Sequence, residues 1–326
     1  MSEFDFAILG AGAMGSIVGG HLARAGHRVA MLARGARADA LEQHGIIIRG
    51  LAEFTTRVAT VRNPAALTGA RVLIVATKTP GTAEALAALR HAELGVALSI
   101  QNGPQKNELL ADAFGAARVL GALADTSGEL LPGGEVLFTR NVNIMIGELD
   151  GSESARVRDL AHTIDAAGVR AAASREIVTL EWSKFCAWVG LMALSVSTRA
   201  ETWKYLSDPD AALVLVRLVR DVGTLADALG IPLSDRAILP VASLCAGPES
   251  AAVEIVMKAG AQYRSGAPQH RMSSLQDLLA GRPLEVNETL GYALERAVAL
   301  GLTLPMLDAF RHLVAGIDRT RRVPAS

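Results

Sequence analysis

The sequence predicts an α/β chain with an N-terminal Rossmann dinucleotide-binding domain, residues 1–174, and a C-terminal all-helical domain, residues 175–326. Three observations predict it. The first thirty-four residues read as strand, glycine turn, helix and strand. The first half then keeps alternating short apolar runs with helical segments, the pattern of a parallel sheet covered on both faces. From Glu176 onward helical periodicity dominates, with stops at Gly230-Ile231-Pro232, Ala246-Gly247-Pro248, Gly281-Arg282-Pro283 and Gly301.

The opening strand, residues 4–9, breaks into Gly10-Ala11-Gly12-Ala13-Met14-Gly15. In a G-x-G-x-x-G run between strand and helix, Gly10 permits the tight turn and Gly12 lets the backbone approach a pyrophosphate. Gly15 lets helix and strand pack closely. The helix N-terminus then offers N–H groups and partial positive charge to the phosphates. A second strand, residues 29–33, ends in Arg34 with Arg37 one turn on, where a NAD site usually places an acid. Arginine there suits a 2′-phosphate, so the expected cofactor is NADPH. Residues 45–48 and 58–61 read as an antiparallel insertion, and residues 71–76 as a buried parallel strand ending in Thr77-Lys78-Thr79. A helix near residues 82–89 leads to a strand at 96–100, ending in Gln101-Asn102-Gly103. Strands near 118–124 and 143–146, a helix near 154–167 and a strand at 169–173 complete the domain. Gly10, Arg34, Lys78 and Asn102 all fall at carboxyl ends of strands, the rim where such sheets bind ligands.

Length favours two domains, since 326 residues exceed what one core usually serves. The net charge of −1 points to neither nucleic acid nor an anionic membrane surface. Met1-Ser2-Glu3-Phe4-Asp5 lacks the pattern of a leader, and no apolar run is expected to span a bilayer, so a cytoplasmic chain is expected. Cys186 and Cys245 give no metal spacing and no disulfide framework. Of 32 basic residues only five are lysines: Lys78, Lys106, Lys184, Lys204 and Lys258. Arginine holds its proton, whereas lysine gives one up and shifts readily on burial, which makes a lysine here a strong candidate for proton transfer.

In the helical half, Lys184, Trp188 and Met192 share one helix face at i, i+4 and i+8. A lysine on so apolar a face either extends its stem to water or points into a cleft. If Pro283 opens a helix, Glu285 lies in its first turn, where capping alone would explain it; Ser273 is equally readable as a helix cap.

These elements, in order, resemble the ketopantoate reductase (2-dehydropantoate 2-reductase) family over nearly the whole chain. They are Gly10-x-Gly12-x-x-Gly15, Arg34-Gly35, Lys78, Gln101-Asn102-Gly103, Trp182-x-Lys184, and Ser273-x-Leu275-Gln276-Asp277 followed by Gly281-Arg282-x-x-Glu285. The spaced set Asn102, Lys184 and Glu285 is more specific than the glycine motif. The resemblance implies an active site in a cleft between the two domains and reduction of a 2-oxo acid by NADPH. It makes Lys184 the general acid, has Asn102 orient carbonyl and nicotinamide, and has Ser273 hold the substrate carboxylate. Glu285 would support the network, and Lys78 would lie near the cofactor and substrate anions. No metal or nucleic acid is implied, and a homodimer is allowed for.

The chain departs from the family where asparagines usually stand four and eight residues after the lysine; here those positions hold Trp188 and Met192. A larger apolar face disfavours a hydroxylated side chain, because an unmatched buried hydroxyl costs about 1–3 kcal/mol. A D-2-hydroxyacid (mandelate-type) dehydrogenase is therefore the rival within the class. A non-catalytic dinucleotide sensor is the rival outside it, opposed by the presence of Lys184, Asn102 and Glu285.

Overall fold

The computed structural model describes residues 3–321. Met1 and Ser2, part of the stretch read above for a leader, lie outside the described residues, as do residues 322–326. The chain divides into two compact units, Met1–Val178 and Thr179–Ser326.

The first unit is built on a mixed sheet. Among the described residues its strands are β1 (Phe4–Leu9), β2 (Val29–Leu32), β3 (Ile46–Gly50), β4 (Phe54–Thr56), β5 (Ala59–Val61), β6 (Gly69–Val75), β7 (Glu93–Ser99), β8 (Val119–Leu130), β9 (Val136–Gly147) and β10 (Ala171–Ala173). They run in the order β4-β3-β9-β8-β7-β6-β1-β2-β5, with β10 on β9. The helices are α1 (Ala13–Arg24), α2 (Gly35–His44), α3 (Thr82–Ala87), α4 (Gln105–Phe114) and α5 (Ala155–Ala166). β1 is central, with Ile8 opposite Met31 of β2 on one side and Ile74 of β6 on the other, both parallel. Its side chains alternate between two cores. Phe6 and Ile8 join Ile17, Leu22 and Phe138 on one face, while Ala7 and Leu9 join Leu73, Leu86 and Leu110 on the other. Burial on both faces is why β1, β6 and β7 read as continuous apolar runs.

Two expectations change. Residues 45–48 and 58–61 do not pair with each other: β3 pairs antiparallel with β4 and parallel with β9, while β5 extends the sheet beyond β2 in parallel. The strands expected near 118–124 and 143–146 are the inner parts of a long antiparallel hairpin, β8–β9, whose register shifts between Asp125 and Thr126 and again between Ser127 and Gly128. On the β8 strand its outer half, residues 125–130, is mostly polar and so lacks an apolar run, whereas on β9 it buries Val136 and Phe138.

The second unit contains helices and no strand among the described residues. α6 (Ile177–Thr198) enters from the first unit, and α7 (Thr202–Ser207), α8 (Pro209–Ala228), α9 (Val241–Cys245) and α10 (Glu249–Gly266) follow. Next come α11 (Ser273–Leu279), a π-helical turn at Asn287–Gly291, α12 (Tyr292–Ala299) and α13 (Pro305–Thr320). Asp208 caps α8 by accepting from the Ala211 N–H, and Pro209 supplies the preset φ of a first helical residue. α6 has 22 residues, and an 18-residue stretch of it with a mean hydropathy of 1.3 is, by length and composition only, long and apolar enough to cross a membrane, though Glu181 and Lys184 interrupt its apolar run. In this structure 83% of that stretch is buried, the environment of a core helix that is apolar all round.

Phe138 on β9 is buried and meets His21 of α1 edge to face at 5.4 Å between ring centres, so the hairpin is part of the first unit's core. Phe138→Ala should destabilise that unit by about 3–5 kcal/mol in urea denaturation of the whole chain. A loss below about 0.5 kcal/mol, the range of a surface change, would place the hairpin outside the core.

Candidate active site

The glycine turn shows which of its residues the protein itself requires. Gly10 has φ +107°, a region side chains disfavour, and a Cβ there would come within 2.8 Å of Thr77. A Cβ on Gly15 would collide with the Gly10 carbonyl oxygen. Gly12, the N-cap of α1, has an ordinary φ of −71°, and a Cβ on it would meet nothing within 4 Å. The backbone at Gly12 therefore opens onto space that a ligand could share. Ala13 and Met14 begin α1, with Ala11 buried behind them; no side chain caps this helix and no acid sits in its first turn. Its N–H groups are thus left for an anion, and the residues fit a bound pyrophosphate.

Beside the turn lies a pocket of about 750 Å³ whose lining includes Gly10, Gly12, Arg34, Arg37, Arg62 and Leu130. That is the size of a site for a cofactor-sized ligand. Its three arginines are not equivalent. Arg34, the N-cap residue of α2, is exposed, and its side chain makes no hydrogen bond or ion pair among the described residues. Arg62 is paired with Asp39 at 2.5 Å and Glu42 at 2.8 Å. Arg37 is half-buried, and its guanidinium donates to the carbonyls of Ala11 and Gly134 and to the Ser16 hydroxyl, each at 2.8 Å. Arg37 thus commits three of its five N–H donors inside the unit, which leaves Arg34 the more available of the two arginines read beside the second strand.

The ends of β6 and β7 form one braced rim. The Gln101 amide nitrogen donates to the hydroxyls of Thr77 and Thr82 at 3.0 and 2.8 Å and to the Lys78 carbonyl at 3.3 Å. Its amide oxygen accepts from Ser99 at 2.9 Å. Gln101 is the buried brace, and Asn102, beside it, is half-buried; Lys78 is exposed. Sequence reasoning passed over Lys106, which is buried and donates from Nζ to the carbonyls of Gln101, at 3.0 Å, and Ala122. The signal was available: a lysine in a lysine-poor chain, five residues beyond Gln101.

In the second unit, Lys184 is half-buried on α6, Trp188 is 6% exposed and Met192 is fully enclosed. The Met192 sulfur lies 3.6 Å from the Thr289 hydroxyl, and Ser195 on the same helix meets Ser274 of α11 at 3.1 Å. Thr289 belongs to the π-helical turn and also donates to the Glu285 carbonyl. The main chain at Glu285, the start of α11 and the far half of α6 are thereby packed together. Two capping expectations are corrected. Residues 283–286 are not helical, so Glu285 is not in a helical first turn, and Met272 rather than Ser273 is the N-cap of α11, leaving Ser273 exposed as its first residue. Glu285 is buried, and burial together with its charge pushes the half-buried Glu288 carboxyl up. π-helical turns of this kind are frequent at functional sites. Cys186 is wholly buried, and burial raises its thiol pKa, which makes it a poor nucleophile.

A glycine turn at the end of the central strand of a mostly parallel sheet, with an adjoining pocket, defines a Rossmann-like dinucleotide-binding protein. The family model described as ketopantoate reductase PanE/ApbA matches residues 6–151, and that of its C-terminal domain matches residues 176–318. A 2-dehydropantoate 2-reductase of Archaeoglobus fulgidus is 27% identical over 311 residues, covering 95% of this chain and 97% of that one. The crystal structure of a PanE/ApbA family ketopantoate reductase from Ralstonia eutropha aligns with a TM-score of 0.82 at 25% identity, over 98% and 99% of the two chains. A D-mandelate dehydrogenase in a ternary structure with NADH and anilino(oxo)acetate aligns at 0.81 over 98% and 99%, and at 18% identity it shows the fold alone. This chain belongs to the ketopantoate reductase family. It is an oxidoreductase of a family that reduces 2-oxo acids with NAD(P) cofactors.

The two glycines at the helix entry should separate by substitution. Gly15→Ala should lower the melting temperature, because its Cβ meets backbone. Gly12→Ala should leave melting unchanged yet weaken NAD(P)H binding about tenfold or more, the loss of one charge-assisted hydrogen bond. Full binding by Gly12→Ala in a fluorescence titration would show that no ligand approaches there.

Proposed function

We propose that the chain is an NADPH-dependent reductase of a 2-oxo acid, and that 2-dehydropantoate to pantoate is the reaction it fits first. The observation that carries this is the pocket at the glycine turn, where the Arg34 guanidinium makes no hydrogen bond or ion pair among the described residues. A 2′-phosphate satisfies such a group with a charge-assisted hydrogen bond, whereas the 2′-hydroxyl of NADH gives a weaker one. Gly10, Ala11, Gly12, Ala13, Met14 and Gly15 hold the pyrophosphate in this reading, and Lys78 stands near the cofactor and substrate anions.

When bound, NADPH supplies hydride to the carbonyl carbon. The Lys184 ammonium donates the proton that the 2-oxo oxygen takes up and stabilises negative charge there as it develops. Lysine suits this where arginine does not, because guanidinium is a poor proton donor near neutral pH. Asn102 orients the carbonyl and the nicotinamide, Ser273 binds the substrate carboxylate, and Glu285 supports the network around Lys184.

A second reading is favoured by Trp188 and Met192. Their apolar bulk at the positions where the family usually has asparagine suits a 2-oxo acid with a large apolar side chain, as in a D-2-hydroxyacid dehydrogenase of the mandelate type. NADPH oxidation measured with a panel of 2-oxo acids decides between them. Ketopantoate leading in kcat/KM supports the first reading, bulky apolar acids leading supports the second, and no turnover with any acid overturns both.

Arg34→Ala should weaken NADPH by roughly tenfold to a hundredfold, the equivalent of about 1.5–3 kcal/mol, while NADH changes little. Equal losses would make Arg34 merely structural. Lys184→Ala should lower kcat by ~10²–10⁴ with dinucleotide affinity preserved, and Lys184→Arg should fail nearly as badly. An arginine variant that kept most of its turnover would move the proton donor elsewhere.

A further inference from the structure

The phosphate turn contains one group that works against an anion, the carbonyl of Ala11. Carbonyl and N–H of one trans peptide point in opposite directions, so the orientation of the Ala11–Gly12 peptide decides which of them faces the pocket. The choice is not enforced locally. Glycine at position 12 tolerates almost any φ, so this peptide could turn over at little steric cost.

Two side chains hold it. The Ala11 carbonyl accepts from Arg37 Nε at 2.8 Å and from the Ser16 hydroxyl at 3.2 Å. The two donors are themselves linked, because Arg37 also donates to the Ser16 oxygen at 2.8 Å. With the carbonyl tied back in this way, the Gly12 N–H points the opposite way and donates to no acceptor among the described residues. The third Arg37 donor holds the Gly134 carbonyl at the tip of the β8–β9 hairpin, whose Leu130 lines the same pocket.

We propose that Arg37 is a positioning residue for dinucleotide binding: with Ser16 it locks the Ala11–Gly12 peptide so that the Gly12 N–H, and not the Ala11 carbonyl, meets the pyrophosphate. The lock acts on the part that NADPH, NADH and ADP-ribose share. It is indifferent to the 2′-phosphate, which separates it from the role given to Arg34. Burial, which pushes the Arg37 guanidinium below its ordinary pKa, agrees with a group spent on internal carbonyls while leaving it charged. The inference rests on the dinucleotide reading of the pocket.

The test measures dissociation constants of NADPH, NADH and ADP-ribose for the full-length wild type, Arg37→Gln and Ser16→Ala, with the melting temperature of each. Wild type should bind all three. Arg37→Gln should weaken all three by a common factor of about tenfold, the loss of roughly one hydrogen bond's worth of orientation, and Ser16→Ala should do the same to a smaller degree. If Arg37→Gln fails to fold, Ser16→Ala carries the test alone, since it removes one of the two donors to the same carbonyl. A loss confined to NADPH would make Arg37 a 2′-phosphate ligand and overturn the proposal while leaving the dinucleotide reading intact. Unchanged affinities in folded variants, with or without a lowered melting temperature, would reduce the lock to a structural tie and overturn it as well. A wild type that bound none of the three would overturn the dinucleotide reading and this proposal together.

Discussion

The first unit depends on one close approach, the first turn of α1 set against the carbonyl of Gly10. No side chain fits between them, since a Cβ on Gly15 has nowhere to go and one on Gly10 would strike Thr77 at the end of β6. That contact fixes where the helix axis starts relative to β1. It thereby fixes which backbone N–H groups face outward beyond the strand ends and how Ile17 and Leu22 reach the core beneath. It also ties β1 to β6, because the residue a Gly10 side chain would displace begins the loop that Gln101 braces. The ligand-facing rim is in this sense a consequence of core packing, set by Gly10 and Gly15, while Gly12 leaves the space in front of it open.

What the sequence made legible follows from how local the cause is. The unit from β1 to β2 could be read because its turn, helix and strands are specified within thirty residues. β6 and β7 could be read because burial on both faces leaves an unbroken apolar run. The outer half of β8 was not legible: Asp125, Thr126 and Ser127 are polar residues placed by pairing with β9, with no apolar run to mark them. The partners of β3 and β5 were not legible either, since strand pairing is decided at long range. Among candidate site residues, Arg34 and Lys78 could be placed at strand ends, but the arginine that is spent and the one that is available could not be told apart without their partners. Pro283 illustrates the opposite failure. It is a sound local signal for a helix start, yet the chain has no regular structure through Glu285 and turns at Val286 into the π-helical segment, where Thr289 bridges to the Glu285 carbonyl and the Met192 sulfur.

The second unit faces a different constraint, a long buried helix that must carry polar groups. α6 satisfies Ser183 twice, by donation to the Thr179 carbonyl at 2.6 Å and acceptance from the Ser234 N–H at 2.8 Å. It satisfies Ser195 through the Met192 carbonyl and Ser274. Each of these bonds fixes the rotation of the helix about its axis, because a buried hydroxyl left unmatched costs about 1–3 kcal/mol. The face bearing Lys184 is therefore set by neighbours that do no chemistry.

The same distinction between charge present and charge available governs the cofactor pocket. Three arginines line it, and by count alone it would be a strongly cationic site. Arg62, however, faces Asp39 and Glu42, and its guanidinium in turn holds the Glu42 carboxyl below the usual carboxylate range. An incoming phosphate there would have to compete with two carboxylates already in place. Arg37 is turned inward onto two carbonyls and a hydroxyl. Of the three, Arg34 alone makes no side-chain hydrogen bond or ion pair among the described residues; it stands at the N-terminus of α2, where the helix dipole adds to its field. On the NADPH reading proposed above, discrimination between a 2′-phosphate and a 2′-hydroxyl would rest mainly on that exposed side chain. A lone exposed cation is weakened by salt much more than a buried pair. Cofactor preference in such a site should be sensitive to ionic strength, whereas a pyrophosphate held by backbone N–H groups at the glycine turn would be far less so.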